Sequence, residues 1–217
     1  MRSHPLPWFS FVMLSIIFGI EAATHFRPAW YPTIAFHTQL SWEYLEAFQL
    51  HRLALSPLVQ TTAGCSGLFF IALVLLIPFC ELRTGWKRTA AIFFLGDWLS
   101  TLPILLVLRI VGRLGDERAL ALASQPDSGS SSAAFACAAA LAMTLPGAWR
   151  LAAIGTLFAG LSYWALLFTR QSDVQHLLAA AFGAGLMLLI APRPKRGLLD
   201  AYRRETKKEG PPMTVPP

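Results

Sequence analysis

The chain has 217 residues, 55% of them hydrophobic and only 14% charged, with a formal net charge of +6. A soluble domain usually carries about 25% charged residues, so this composition, with a mean hydropathy of +0.51, argues against a water-soluble globule. The basic balance does not point to nucleic acid, because Lys and Arg sit in short connections and in the C-terminal tail, where they act as a topology signal.

The apolar residues come in long runs. In lipid every backbone polar group must be satisfied within its own segment, so such runs read as helices. We place six spans near 8–23, 58–80, 89–112, 131–145, 149–168 and 174–191. The first, from Trp8 to Ala23, lacks a convincing small-residue cleavage site and reads as a retained helix, not a signal peptide. The connection after it, about 24–57, carries Trp30, Tyr31, Trp42 and Tyr44. Aromatics of this kind favour the membrane interface, so an interfacial helix is expected near Trp42–Leu50. The fourth span is short for a hydrocarbon core of about 30 Å. It is tolerable only if its end is buried in protein or faces a water-filled cavity. The connection before it, 113–130, ends in the turn-rich run Gln125-Pro-Asp-Ser-Gly-Ser-Ser-Ser132.

Charge placement sets the expected orientation. Arg2, Arg83, Lys87, Arg88, Arg150 and the basic tail fall on one side, against Arg27, Arg52, Arg113, Arg118 and Arg170 on the other. Both termini are therefore expected in the cytoplasm. Residues 1–192 read as one transmembrane domain, and 193–217 as a basic, disordered cytoplasmic tail that touches anionic lipid. The setting expected is a bacterial inner membrane. The cysteines Cys65, Cys80 and Cys137 all lie in apolar runs without CxxC or His-rich spacing. Neither a disulfide framework nor a metal site is expected, and no organic cofactor is implied.

Two polar features interrupt the apolar pattern. Gly129-Ser130-Ser131-Ser132-Ala133-Ala134-Phe135 opens the fourth span, and Asp173-Val-Gln-His176 opens the sixth. The expected topology brings both to the outer face at similar depth. A serine there is a weak nucleophile unless a histidine within hydrogen-bond reach accepts its proton. The plainer readings stand beside this one: Ser130–Ser132 as helix caps, and His176 as a helix–helix hydrogen bond. Intramembrane ionisable residues are nevertheless rare and face the bundle interior. Asp97, in the middle of the third span, needs a partner or stays protonated. Asp127 and Asp173 suit helix N-termini or the orienting of His176. Arg52 is expected to tie the outer loop, and Glu81 with Arg83 to fasten a cytoplasmic turn.

These residues, taken together, resemble the rhomboid intramembrane serine proteases. That family carries Gly-x-Ser-Gly at the start of a short fourth helix with an aromatic four residues on. Gly129, Ser131 and Phe135 match, and Ser132 stands in place of the second glycine. In the sixth helix the family has a histidine followed by small residues, as in His176, Ala179 and Gly183. Glu81-Leu-Arg83-Thr-Gly85 is similar to its Glu-x-Arg-x-Gly motif, and Arg52 lies in gapless register with it. Asp127-x-Gly129-x-Ser131 with Asp173-x-x-His176 also resembles a divergent rhomboid-like branch of actinobacterial membrane proteins. The resemblance covers about 50–191. It implies an all-α membrane protein, a six-transmembrane-helix rhomboid-like bundle with an interfacial first outer loop. It also implies proteolysis of transmembrane substrates near the outer face by a Ser131–His176 dyad.

One departure bears on activity. Rhomboids carry His-x-x-x-Asn in the second helix to stabilise the oxyanion, and the register places Cys65 and Phe69 there. Losing one such donor typically costs about 10²–10³ in rate. Ser66, Thr62 or backbone N–H groups near Ser131 are the available substitutes. The alternative is a catalytically inactive rhomboid-like protein that binds transmembrane helices as clients. A transporter would show an inverted repeat or more intramembrane charge than this chain has.

Overall fold

The computed structural model describes residues 6–60, 67–168 and 171–190. The expected tail, and Thr62, Cys65 and Ser66, lie outside these residues, as does the side chain of Phe69.

The described secondary structure is helical, apart from one antiparallel bridge between Leu40 and Asp127. In chain order the helices are α1 (Trp8–Phe26), α2 (Tyr31–Thr38), α3 (Trp42–Glu46), α4 (His51–Leu55), α5 (Gly67–Thr84), α6 (Trp86–Arg113), α7 (Glu117–Ser124), α8 (Ser131–Met143), α9 (Gly147–Phe168) and α10 (Gln171–Ile190). Among the described residues, α1, α6, α9 and α10 are long and apolar enough to cross a membrane. These four are compatible with a membrane protein. The helix α8 is apolar but has only 13 residues. At about 1.5 Å per residue it is roughly 20 Å long, well short of the hydrocarbon core.

The short helices α2, α3, α4 and α7 gather at one end of the bundle, which we call the loop end. The turn between α5 and α6 marks the other, or basic, end. The expected interfacial helix is shorter than its span of aromatics suggested, stopping at Glu46. The helix α7 lies in the connection 113–130, where no helix is expected from the sequence. With eight residues it is too short to carry a span-length apolar signal. Its start is nonetheless marked by Asp116, whose side chain accepts from Ala119 N–H at 3.0 Å.

The centre of the bundle is α8, in contact with α5, α6, α9 and α10. Alanine makes this possible, because a helix with methyl side chains lets neighbouring backbones come close. Ala133, Ala136, Ala139 and Ala140 are fully buried. Two glycines complete the fit. A methyl group on Gly183 of α10 would overlap the Ala136 carbonyl, and one on Gly96 of α6 would overlap the Ala136 methyl. The helices α6 and α10 are therefore pressed against opposite parts of one residue of α8. The helix α9, by contrast, is almost wholly exposed.

The basic end is locked differently from expectation. Glu81 does not pair with Arg83. Its carboxylate instead accepts Phe9 N–H at 3.1 Å and Ser10 N–H at 2.7 Å, with the Ser10 hydroxyl as a third donor. These are leading amides of α1, which lack an intrahelical partner. Pro7, at the N-cap of α1, supplies no side-chain bond, so a carboxylate from α5 caps α1 in its stead. With both carboxylate oxygens engaged, Arg83 is left exposed and makes no ion pair among the described residues. Gly85, at φ +86°, joins α5 to α6 in a left-handed conformation that favours glycine.

The first connection is fastened at several points. Arg52 is buried, donates to Gln39 O at 2.8 Å and to Gln49 Oε1 at 2.7 Å, and lies 3.7 Å over the Tyr44 ring. Trp98 of α6 donates to Leu53 O at 2.8 Å. Glu46 bridges Arg109 and Arg113 of α6 at 3.3 and 3.2 Å.

Candidate active site

At the loop end, α8 and α10 begin side by side. Ser131 opens α8, and His176 lies in the second turn of α10. The Ser131 Oγ and His176 Nε2 atoms are 2.8 Å apart, within hydrogen-bond reach. Both residues are half-buried. Phe135, one turn beyond Ser131, packs on the imidazole with ring centroids 4.8 Å apart and restricts its rotation. The small residues below His176 allow this approach: Ala179 is fully buried, and Gly183 rests on Ala136.

The backbone before Ser131 is built to expose it. Gly129 has φ +139°, a conformation that side-chain-bearing residues rarely adopt. Its N–H donates to Ser56 O at 3.0 Å. A Cβ at Gly129 would stand 4.0 Å from Ser131 Oγ and 3.4 Å from Gln60 Oε1. Ser130 occupies the N-cap position but makes no capping bond. Its hydroxyl instead accepts from Gln60 Nε2 at 2.8 Å, and its N–H donates to Gln60 Oε1 at 3.4 Å. The capping role expected of Ser130 is thus not taken, because Gln60 occupies the serine from both sides. Among the described residues, the N–H groups of Ser131, Ser132 and Ala133 have no hydrogen-bond acceptor. They leave an electropositive helix N-terminus beside the Ser131 hydroxyl. Ser132 is buried in that first turn.

The carboxylates are arranged around the dyad without bonding to Ser131. Asp127 does not cap α8. Its backbone is held by Leu40 through paired 2.8 Å bonds, and its half-buried side chain lies beside Ser128 and Gln175. Burial pushes the Asp127 carboxyl above its ordinary range, against the influence of Ser128 N–H and Gln175, which favours its charged form. Gln175 donates to Thr101 of α6 at 2.6 Å. Asp97, buried on α6, is close enough to Asp127 for the two carboxyls to interact. Asp173 is buried in the first turn of α10, three residues before His176 and so on the same side of that helix.

Sequence reasoning missed Gln60 and the Gln175–Thr101 hydrogen bond. Gln60 follows an extended residue, Val59, and sits in no periodic pattern. Its one signal is a lone amide after the apolar run Pro57-Leu58-Val59. Arg52, Glu81, Arg83 and Gly85 do not enter the site. Among the described residues no group of His, Cys, Asp and Glu is arranged to hold a metal.

Comparison with protein-family models, with curated proteins and with solved structures returned no match.

Proposed function

We propose that this chain is a rhomboid-type intramembrane serine protease whose nucleophile is Ser131 and whose general base is His176. The observation that carries this reading is the 2.8 Å approach of His176 Nε2 to Ser131 Oγ. Such an approach places a histidine within hydrogen-bond reach of the first residue of a short helix, the arrangement a nucleophile and its general base require. In this reading α1, α5, α6, α8, α9 and α10 are the six spans of the bundle. Both termini lie in the cytoplasm, and the loop end faces outward.

The chemistry follows from the groups present. Ser131 Oγ attacks the scissile carbonyl of a substrate segment while His176 Nε2 takes the hydroxyl proton. Negative charge develops on the former carbonyl oxygen. The unpaired N–H groups at the start of α8 are the donors nearest to it. His176 then gives its proton to the leaving amine as the C–N bond breaks, which leaves an acyl-serine. A water molecule, deprotonated by His176, attacks that ester and restores the serine. Phe135 holds the imidazole in place, and the φ of Gly129 keeps the approach to Ser131 open. The partners are membrane lipids and a transmembrane protein substrate.

A second reading rests on Cys65 and Phe69 standing where rhomboids place their oxyanion donors: a protein that binds transmembrane helices without cutting them. A fluorophosphonate probe on the purified protein separates the two. The protease reading expects labelling of the wild type and none of Ser131→Ala or His176→Ala. Labelling that survives Ser131→Ala removes the nucleophile assignment. Absence of labelling in a folded wild type supports the client-binding reading.

A further inference from the structure

The shortness of α8 has a second effect at the opposite end of the bundle. Beyond Met143 the chain turns through Thr144 and Leu145 into α9, and a cavity of about 410 Å³ opens between α5, α8 and α9. Its walls are Phe79 of α5, Leu141 and Ala142 of α8, and Ala153 and Leu157 of α9, with Arg83 at its rim. The walls are apolar and the rim is cationic. Arg150 lies one turn before Ala153, on the same face of α9. Arg83 lines the cavity itself, and Arg150 stands next to it, bonded through its Nε to the carbonyl of the lining residue Leu145.

Among the described residues these cations have no ion-pair partner. The ion pairs among the described residues, Glu46 with Arg109 and Arg113, lie at the loop end. Arg83, Lys87, Arg88 and Arg150 are all at the basic end, and among the described residues none of them makes an ion pair. The carboxylate of Glu81, at the same end, is buried against the start of α1. Arg150 donates its Nε to Leu145 O at 3.0 Å, which answers the carbonyl end of α8. Its remaining guanidinium N–H groups have no partner among the described residues.

We infer that this cavity binds one anionic phospholipid, an acyl chain lying against Phe79, Ala142, Ala153 and Leu157 and the phosphate held between Arg83 and Arg150. Charge complementarity selects this occupant. A zwitterionic lipid offers the same chain but brings its own cation to an already cationic rim. The chain's own residues 191–217 carry seven Lys and Arg against three Asp and Glu, the wrong sign for the same rim. Bidentate geometry makes arginine well suited to a phosphate. The site is independent of the protease reading, because it uses neither Ser131 nor His176.

Native mass spectrometry of the full chain, released from micelles doped with phosphatidylglycerol or phosphatidylcholine, tests this. One phosphatidylglycerol is expected to stay bound at concentrations where phosphatidylcholine is not retained. Arg83→Gln and Arg150→Gln are each expected to weaken retention about five-fold. Ala153→Phe, which fills the cavity and leaves both arginines, is expected to abolish it. Lys87→Gln, a charge of the same end that does not line the cavity, is expected to leave retention unchanged. Equal retention of the two lipids overturns the inference, as does retention of neither by the folded wild type. So does equal weakening by Lys87→Gln and Arg83→Gln, which marks diffuse attraction to a basic surface. Circular dichroism of each variant separates a lost site from a lost fold.

Discussion

Gly183 of α10 and Ala136 of α8 are packed so closely that no side chain fits on the glycine without displacing backbone. This contact lies seven residues beyond His176 and five beyond Ser131, on the same two helices. It fixes how near α10 comes to α8, and through that the separation of the dyad.

Gly183→Ala therefore tests whether the dyad depends on helix packing. Overpacking of a tight interface costs about 1–3 kcal/mol. We expect a lower thermal midpoint together with at least a ten-fold fall in fluorophosphonate labelling. Gly185→Ala, at a position with open space around it, should leave both unchanged. Full labelling of Gly183→Ala would show that the dyad is positioned by something other than this contact.

Gln60→Ala removes both the donor to the Ser130 hydroxyl and the acceptor of its N–H. We expect the labelling rate constant to fall roughly ten-fold, the order of one lost hydrogen bond. Gln60→Glu keeps the acceptor and loses the donor, so it should fall between wild type and alanine. A lowered thermal midpoint with unchanged labelling would assign Gln60 to stability alone.

Glu81→Ala leaves the amides of Phe9 and Ser10 without an acceptor at the buried start of α1. A hydrogen bond to a charged group contributes about 1.5–3 kcal/mol, so we expect clear thermal destabilisation. Arg83→Ala, two residues on, should leave the unfolding midpoint unchanged, since Arg83 makes no ion pair among the described residues. Equal destabilisation by the two variants would restore the expected Glu81–Arg83 fastening.

The Asp127 carboxyl is held above its ordinary range by burial. The folded protein thus binds this proton more tightly than the unfolded chain. The stabilising contribution is complete below about pH 4, the ordinary carboxyl value, and is lost as pH rises through the raised folded value. Asp127→Asn should accordingly raise the thermal midpoint at pH 8 and change it little at pH 4. The opposite ordering would mean that the charged form is the one the site prefers.

The helices were legible where a single run of chain carries the signal. The apolar runs marked the long helices, and the glycine–serine turn marked the start of α8 at Ser131. Small residues at 179 and 183 pointed to a close helix contact, though not to Ala136 as its partner. What escaped were contacts made across the chain. Glu81 and the start of α1 are 71 residues apart, and Gln60 and Ser130 are 70 apart. Neither spacing has a periodicity to betray it. The charged pair Glu81 and Arg83 suggested a local bond by adjacency, whereas buried amides on another helix were the stronger claim on that carboxylate. Ser130 likewise had the composition of a cap, and a distant glutamine took it.

The capping of α1 by Glu81 also bears on the order in which the molecule is made. Ser10 leaves the ribosome long before its acceptor, 71 residues later, has been synthesised. Until Glu81 is made, the leading amides of α1 lack the acceptor that the folded bundle gives them. The capped start of α1 is therefore complete only once the carboxylate near the α5–α6 turn has been made.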